Sequence, residues 1–323
     1  MGSRVSSLYR HDIICHMTYE DVENARKQYL SRIKKQAFVG FAITIGFLIA
    51  AFLSRGTIMG DMTFIALFLI PFILAGVALV ALFFNRKLRN NYRKAYKEYF
   101  IERNLRTVFS DLEYHHELGL PSSFLRATGM INTGNRYNSN DYIRAKYKDV
   151  AFCQADVHIE NEYTDSDGNT HYTTIFRGRF MVFEFPKEFS FKLALIGKKF
   201  AAFKFPGKDK VTGRKLEKFS TESPTFNKLL RAYAEDGFEA FYLLDPKTIA
   251  TLEDITVKHS SGIAFLFVNN QLIIGLSNGK DSFEPPRPFR SINEAKENTK
   301  VISEIKIITD LVNSLSLNCK LFK

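Results

Sequence analysis

The pattern of apolar and polar positions divides the chain into three parts. Ala37–Leu53 runs 17 residues without a charge, and Thr63–Phe84 runs 22. A bilayer core about 30 Å thick takes roughly 20 helical residues at about 1.5 Å each. Both runs are therefore predicted spans, 37–53 and 63–84, of a transmembrane hairpin over 37–84; the shorter one reaches across with Gln36 and Ser54 at the headgroups. On either side the period is helical. Thr18 and Asp21 form a capping box before Val22, Ala25, Tyr29 and Ile33, so residues 1–36 read as a cytosolic N-terminal segment with an amphipathic helix. Leu88, Tyr92, Tyr96, Tyr99, Leu105, Val108 and Leu112 predict a helical stalk over 85–118, ended by Gly119 and Pro121.

Beyond the stalk the period shortens to two. Strands are predicted at 141–147, 151–160, 172–185, 189–195, 199–205 and 215–219, with the turn cluster Thr164–Thr170 joining two of them. Ser223–Ala234 reads as a helix, Ala240–Leu244 as a strand and Asp245–His259 as a helix with Pro246 at its first position. Ile263–Val268 and Gln271–Leu276 form a hairpin around Asn269-Asn270. Ser291 and Glu294 box the start of a last helix whose apolar face is Val301, Ile305, Ile308, Val312 and Leu315. The fold class expected is α+β: an antiparallel sheet with covering helices, the C-terminal one included, over 119–323.

Charge fixes the orientation. Lys and Arg total 45 against 34 acids, a balance of +11. Arg26, Lys27, Arg32, Lys34 and Lys35 precede the first span, and Arg86, Lys87, Arg89, Arg93, Lys94 and Lys97 follow the second, so both termini are expected in the cytoplasm. Three separated cysteines, Cys15, Cys153 and Cys319, fit that reducing compartment. Neither span holds an ionisable group of the kind that marks an ion path, so the hairpin reads as an anchor. Ala42, Gly46 and Ala50 make a stripe of small residues suited to close helix packing, against the second span or a second copy.

Candidate chemistry is sparse. The stretch Lys187–Lys218 has ten basic residues against three acidic ones. Within it Lys198, Lys199, Lys204, Lys208, Lys210, Arg214 and Lys215 are the candidates for contact with anionic lipid headgroups, interleaved with Phe200, Phe203 and Phe205. A solvated strand face is the plainer reading of the same residues. No recognised motif accompanies the charge, so nucleic acid is not expected. Asp165-x-Asp167-x-Asn169 begins like a calcium loop, but Thr170 and Phe176 stand where Gly and Glu are needed. Gly129 and Gly134 have phosphate-loop spacing without the following Lys-Ser/Thr. No catalytic residue, metal ligand or cofactor is expected.

The order of several motifs resembles an uncharacterised bacterial family of two-span membrane proteins with a cytosolic domain of unknown function. The matching elements are Asn140-Asp141-Tyr142-Ile143, Ile175-Phe176-Arg177-Gly178-Arg179-Phe180, Phe185-Pro186-Lys187, Phe226-Asn227-Lys228, Tyr233-Ala234-Glu235-Asp236, Glu239–Pro246 and Asp281-Ser282-Phe283-Glu284-Pro285. Ala145 stands where that family has Gly, and Arg179 where it has an apolar residue, so the likeness is to a divergent member. The resemblance implies a location in the bacterial inner membrane and no established catalytic residues. The expected function is an integral membrane protein presenting a cytosolic binding or scaffold domain, in contact with anionic lipid, a protein partner or a second copy. The alternative is a membrane-tethered enzyme acting on lipid or an envelope precursor.

Overall fold

The computed structural model describes residues 17–53, 85–185, 191–205, 214–260 and 262–315. The chain divides into two compact units, one of residues 1–101 with 285–297 and one of residues 102–284 with 298–323.

The first unit is helical. Helix α1 (Tyr19–Leu53) opens on the predicted box: Thr18 N–H donates to Asp21 Oδ2 at 2.8 Å and Asp21 N–H to Thr18 Oγ1 at 3.2 Å. Residues 85–96 form α2, followed by a π-helical turn over Lys97–Glu102. Val22, Tyr92, Tyr96, Phe100 and Ile101 are buried, with the Phe100 ring 4.9 Å from Tyr96 and from Tyr99. Phenol hydroxyls secure the Pro-rich segment: Tyr92 donates to Pro286 O at 3.0 Å and Tyr19 to Ile292 O at 2.8 Å. Asn85 Nδ2 donates to Gln36 Oε1 at 2.6 Å, so the residue before the first apolar run lies beside the residue after the second. Among the described residues no helix is long and apolar enough to cross a membrane. Residues 63–84 lie outside them. Phe38, Val39, Phe41, Ile45 and Ile49 of α1 are exposed.

The second unit is α+β. Helix α3 (Arg103–Val108) ends in extended backbone at Phe109, and Ser110–His115 is strand β1. The helical reading of 85–118 is corrected there: 110–115 pairs with β2 (Arg136–Tyr147), and a ladder partner overrides a helical apolar period. The sheet continues with β3 (Val150–Thr164), β4 (Thr170–Glu184), β5 (Leu193–Gly197), β6 (Glu217–Phe219), β7 (Leu230–Ala234), β8 (Ile263–Val268) and β9 (Gln271–Ser277). Among the described residues, the nine strands pair antiparallel in the order β1-β2-β3-β4-β9-β8-β5-β7-β6. Residues 199–205 form no strand beyond a bridge of Phe203 to Ile131. Helices α4 (Ser122–Ala127), α5 (Pro224–Leu229), α6 (Gly237–Leu243), α7 (Pro246–Lys258) and α8 (Glu294–Ser314) complete the fold; the first turn of α8 groups with the first unit.

One sheet face builds the main core from Ala155, Val157, Ile159, Phe176, Phe180, Ala264, Leu266 and Ile273 with Phe200 and Met130. A Cβ at Gly275 would come within 2.7 Å of the Phe200 ring and 2.8 Å of Phe180, so only glycine lets those rings approach β9. The alternate positions of β3 and β4 face the other way and are also buried: Phe152, Gln154 and Asp156, with Arg179, Met181 and Phe183. That second face is where the polar chemistry lies.

Candidate functional site: a buried acid cluster

Three carboxylates from distant parts of the chain meet in the second unit. Asp156 sits mid-β3, opposite Asn140 on β2 and Arg179 on β4. Asp141 occupies an irregularity in β2, where the register shifts between Asn140 and Ile143 and the Asp141 φ is +57°. A bulge re-aims its side chain out of the regular alternation. Asp281 follows β9 in the loop that leads to the buried Phe283. Carboxylate oxygens of Asp141, Asp156 and Asp281 all lie within 4.8 Å of one another. Asp141 and Asp156 are 0% and 3% exposed, and Asp281 is half-buried.

Neighbours fix each group. Tyr114 of β1 donates its hydroxyl to Asp141 Oδ1 at 2.5 Å, and Asn140 Nδ2 donates to Asp141 Oδ2 at 2.7 Å. Burial, then the Asp141 charge, holds the Tyr114 phenol well above its ordinary titration range, so it stays a donor. Ser282 N–H donates to Asp156 Oδ2 at 2.7 Å. Arg179, fully buried, donates through Nη2 to Glu304 Oε2 of α8 at 2.8 Å and through Nη1 to the Glu304 carbonyl at 3.2 Å. Its Nε stands 3.8 Å from Asp156 Oδ1, too far for a hydrogen bond, and its guanidinium lies 5.3 Å from the Phe283 ring centroid. Burial foremost pushes the Asp156 carboxyl up to about 8; Arg179 opposes this, while Asp281 and Asp141 add to it. Four buried polar atoms here lack a hydrogen-bond partner: Asp156 Oδ1, Asp281 Oδ1, Arg179 Nε and Ser282 Oγ. The arrangement can neutralise positive charge and hold it in a low dielectric. Sequence reading assigned no role to this set.

The basic candidates fall in two places. Lys198 and Lys199 are exposed in the turn after β5, next to the Leu230 end of β7. Lys204, Arg214 and Lys215 are exposed near the opposite end: Phe203 and Phe205 pack on Tyr233 at 5.4 and 4.8 Å, and Glu217 pairs with Ala234. The two groups are separated by the length of β7, about 14 Å at about 3.4 Å per residue. Lys208 and Lys210 lie outside the described residues. Of the interleaved aromatics, Phe200 is core while Phe205 is 57% exposed. In α1, Ala42 and Gly46 are exposed, and a Cβ at Gly46 would meet nothing within 4 Å among the described residues; the Ala50 side chain lies outside the description.

With this geometry in view, the comparisons divide. Residues 174–317 match the family model described as a protein of unknown function, DUF3137. The matched stretch holds Arg179, Asp281 and Glu304, and the other two aspartates precede it. No curated protein matches the chain. Among solved structures, the crystal structure of the mycobacterial trehalose monomycolate transport factor A, TtfA, is similar over 69% of this chain and 93% of that one, at 10% identity and a TM-score of 0.33.

Proposed function

We propose that the chain is an integral protein of the bacterial inner membrane, anchored by a two-span hairpin, with both termini and the α+β unit in the cytoplasm. The observation that carries this reading is the 2.6 Å contact of Asn85 with Gln36. It closes the base of a loop whose two limbs are the charge-free runs 37–53 and 63–84. The exposed Phe38, Val39, Phe41, Ile45 and Ile49 give α1 an apolar surface that water does not favour and acyl chains do.

The α+β unit then serves as a binding or scaffold module at an anionic membrane face. The corner formed by Lys204, Arg214 and Lys215 beside exposed Phe205 suits headgroup contact, at about 1 kcal/mol per engaged basic side chain. Binding is favoured over catalysis because Asp141 and Asp156 are shut away from solvent and tied to Tyr114, Ser282 and Arg179. Alkaline carbonate extraction of native membranes tests the anchor: the chain stays in the pellet, and release into the supernatant would overturn it. Lysine acetylation footprinting of the full chain in nanodiscs tests the contact. Protection of Lys204 and Lys215 rises with anionic lipid fraction and disappears at about 1 M salt, where the Debye length is about 3 Å. Equal protection in purely zwitterionic discs would remove the lipid contact.

A further inference from the structure

We infer that α6 is a membrane-interface helix, whose Phe238, Phe241 and Tyr242 rings enter the boundary between headgroups and acyl chains. This role rests on the proposed contact of the α+β unit with an anionic membrane and supplies the apolar half of that contact.

Helix α6 is apolar on two sides, and the fold uses one of them. Ala240 and Leu243 are buried, whereas Phe238, Phe241 and Tyr242 are 73%, 46% and 70% exposed. At 3.6 residues per turn the three rings share an arc of about 100°, and Ala240 and Leu243 lie opposite it. Glu239, half-buried, stands at the flank of the arc. A helix that is apolar all round is ordinarily buried on every side. Apolar side chains exposed singly are common, but three contiguous aromatic ones mark an interaction surface. The rings are also held in place. Asp236 accepts from Phe238 N–H at 2.9 Å and from Glu239 N–H at 3.1 Å, fixing the first turn. The Phe241 ring stands 5.8 Å from that of Phe219 on β6, and the Phe238 and Tyr242 rings meet edge to face at 5.4 Å.

The surroundings select a lipid surface as the occupant. Strand β6 ends the sheet, so side chains from both sheet faces reach its edge. Residues opposite each other in a ladder share a face. Phe219, opposite Ala232, therefore supports α6 on one side, while Lys218, opposite Tyr233, lies on the other side with Phe205, whose ring packs on Tyr233. Helix α6 and the Phe205 corner flank one edge. Near the Ala234 end of β7 that edge carries exposed Lys204, Arg214, Lys215 and Lys218 against exposed Glu217. Two neighbouring acids are engaged: Asp236 caps α6, and Glu235 accepts from Lys192 N–H at 3.1 Å with the Lys192 ammonium 3.6 Å away. Basic side chains around amphipathic and apolar rings match an anionic leaflet, with the cations at the phosphates and the rings just below.

The chain has no Trp, so Phe238→Trp places a single fluorescent ring on the arc. Full chain carrying that substitution is reconstituted in nanodiscs of graded anionic lipid, with or without bromine on the acyl chains. Blue-shifted emission is expected, with bromolipid quenching that rises with anionic fraction. Phe238→Ala with Tyr242→Ala lowers the docked-to-undocked ratio about tenfold or more, read as lost acetylation protection of Lys215. Circular dichroism checks that this variant is folded, as the exposure of both residues leads us to expect. No bromolipid quenching while Lys204 and Lys215 remain protected would overturn ring insertion and leave the headgroup contact standing; loss of both would overturn the two together. Blue-shifted emission insensitive to bromolipid would place protein, a second copy included, over the rings and would overturn the lipid assignment. Native Lys215 protection in the folded double variant would do the same.

Discussion

Replacing Arg179 by Met removes the guanidinium that faces Asp156 and Glu304 while keeping most of the side-chain volume. In the native structure the guanidinium is fully buried, with two bonds to Glu304 and the Asp156 carboxylate 3.8 Å from its Nε. Taking one partner out of a buried ion pair costs about 3–5 kcal/mol, because the remaining charge keeps its desolvation penalty and loses its compensation. Two features limit the loss here. Glu304 is 19% exposed and can turn toward water, and Asp156 is already held near pH 8 and takes up a proton readily. The lower part of that range, about 3 kcal/mol, is therefore expected at pH 7. For a unit of about 200 residues this is roughly 6–12 °C in melting temperature. The triple variant Arg179→Met, Asp156→Asn, Glu304→Gln regains most of the loss, since the two acids that face the guanidinium are neutralised together with it. Thermal melts of the full chain in detergent, followed by circular dichroism, read both variants. A single variant within about 1 kcal/mol of the native chain, or a triple variant no better than the single, would refute the reasoning.

Other predictions rest on particular side chains. Burial pushes the Cys153 thiol up to about 11, so in a Cys15→Ser, Cys319→Ser background it stays unmodified by a thiol reagent at pH 8 until the fold is opened by denaturant. Burial, then Lys258 and Arg179, holds the His259 imidazole below its ordinary 6.5; its contribution is therefore present above that pH and lost as pH falls through and below it. Melting measured from pH 7 down to 5 should decline less steeply in His259→Gln than in the native chain. Gly275→Ala drives a methyl into the Phe200 and Phe180 rings and should cost about 1–3 kcal/mol by overpacking, read as a lower melting temperature.

Where local signals and tertiary pairing agreed, the sequence was readable. The Thr18–Asp21 box opens α1, and the Asn269-Asn270 turn, with Asn269 at φ +55°, joins β8 to β9. Two further assignments reversed for identifiable reasons. Ala240–Leu244 has a strand-like composition, yet Asp236 accepts from Phe238 N–H and Glu239 N–H and starts a helix. Ser223–Ala234 starts as the expected helix, capped by Ser223, but Leu230–Ala234 is drawn out as β7 between β5 and β6. Ser291 does not open α8; Asn293 does, accepting from Lys296 N–H at 3.0 Å. The acid cluster was out of reach because 15 residues separate Asp141 from Asp156 and 125 separate Asp156 from Asp281. What the chain did offer was an anomaly: charged Arg179 within the apolar run of β4 and Asp156 at a position that turns inward. Both are the kind of buried charge that requires partners from elsewhere in the fold.

The anchor is tested most directly by cysteine accessibility in intact cells, using a membrane-impermeant maleimide. In a chain carrying Ile58→Cys, between the two apolar runs, that residue is labelled from outside. In the native chain Cys15 and Cys319 are labelled only after the membrane is permeabilised. Labelling of Cys15 or Cys319 in intact cells, or an Ile58→Cys side chain that reacts only after permeabilisation, would contradict the hairpin and the cytoplasmic placement of the α+β unit.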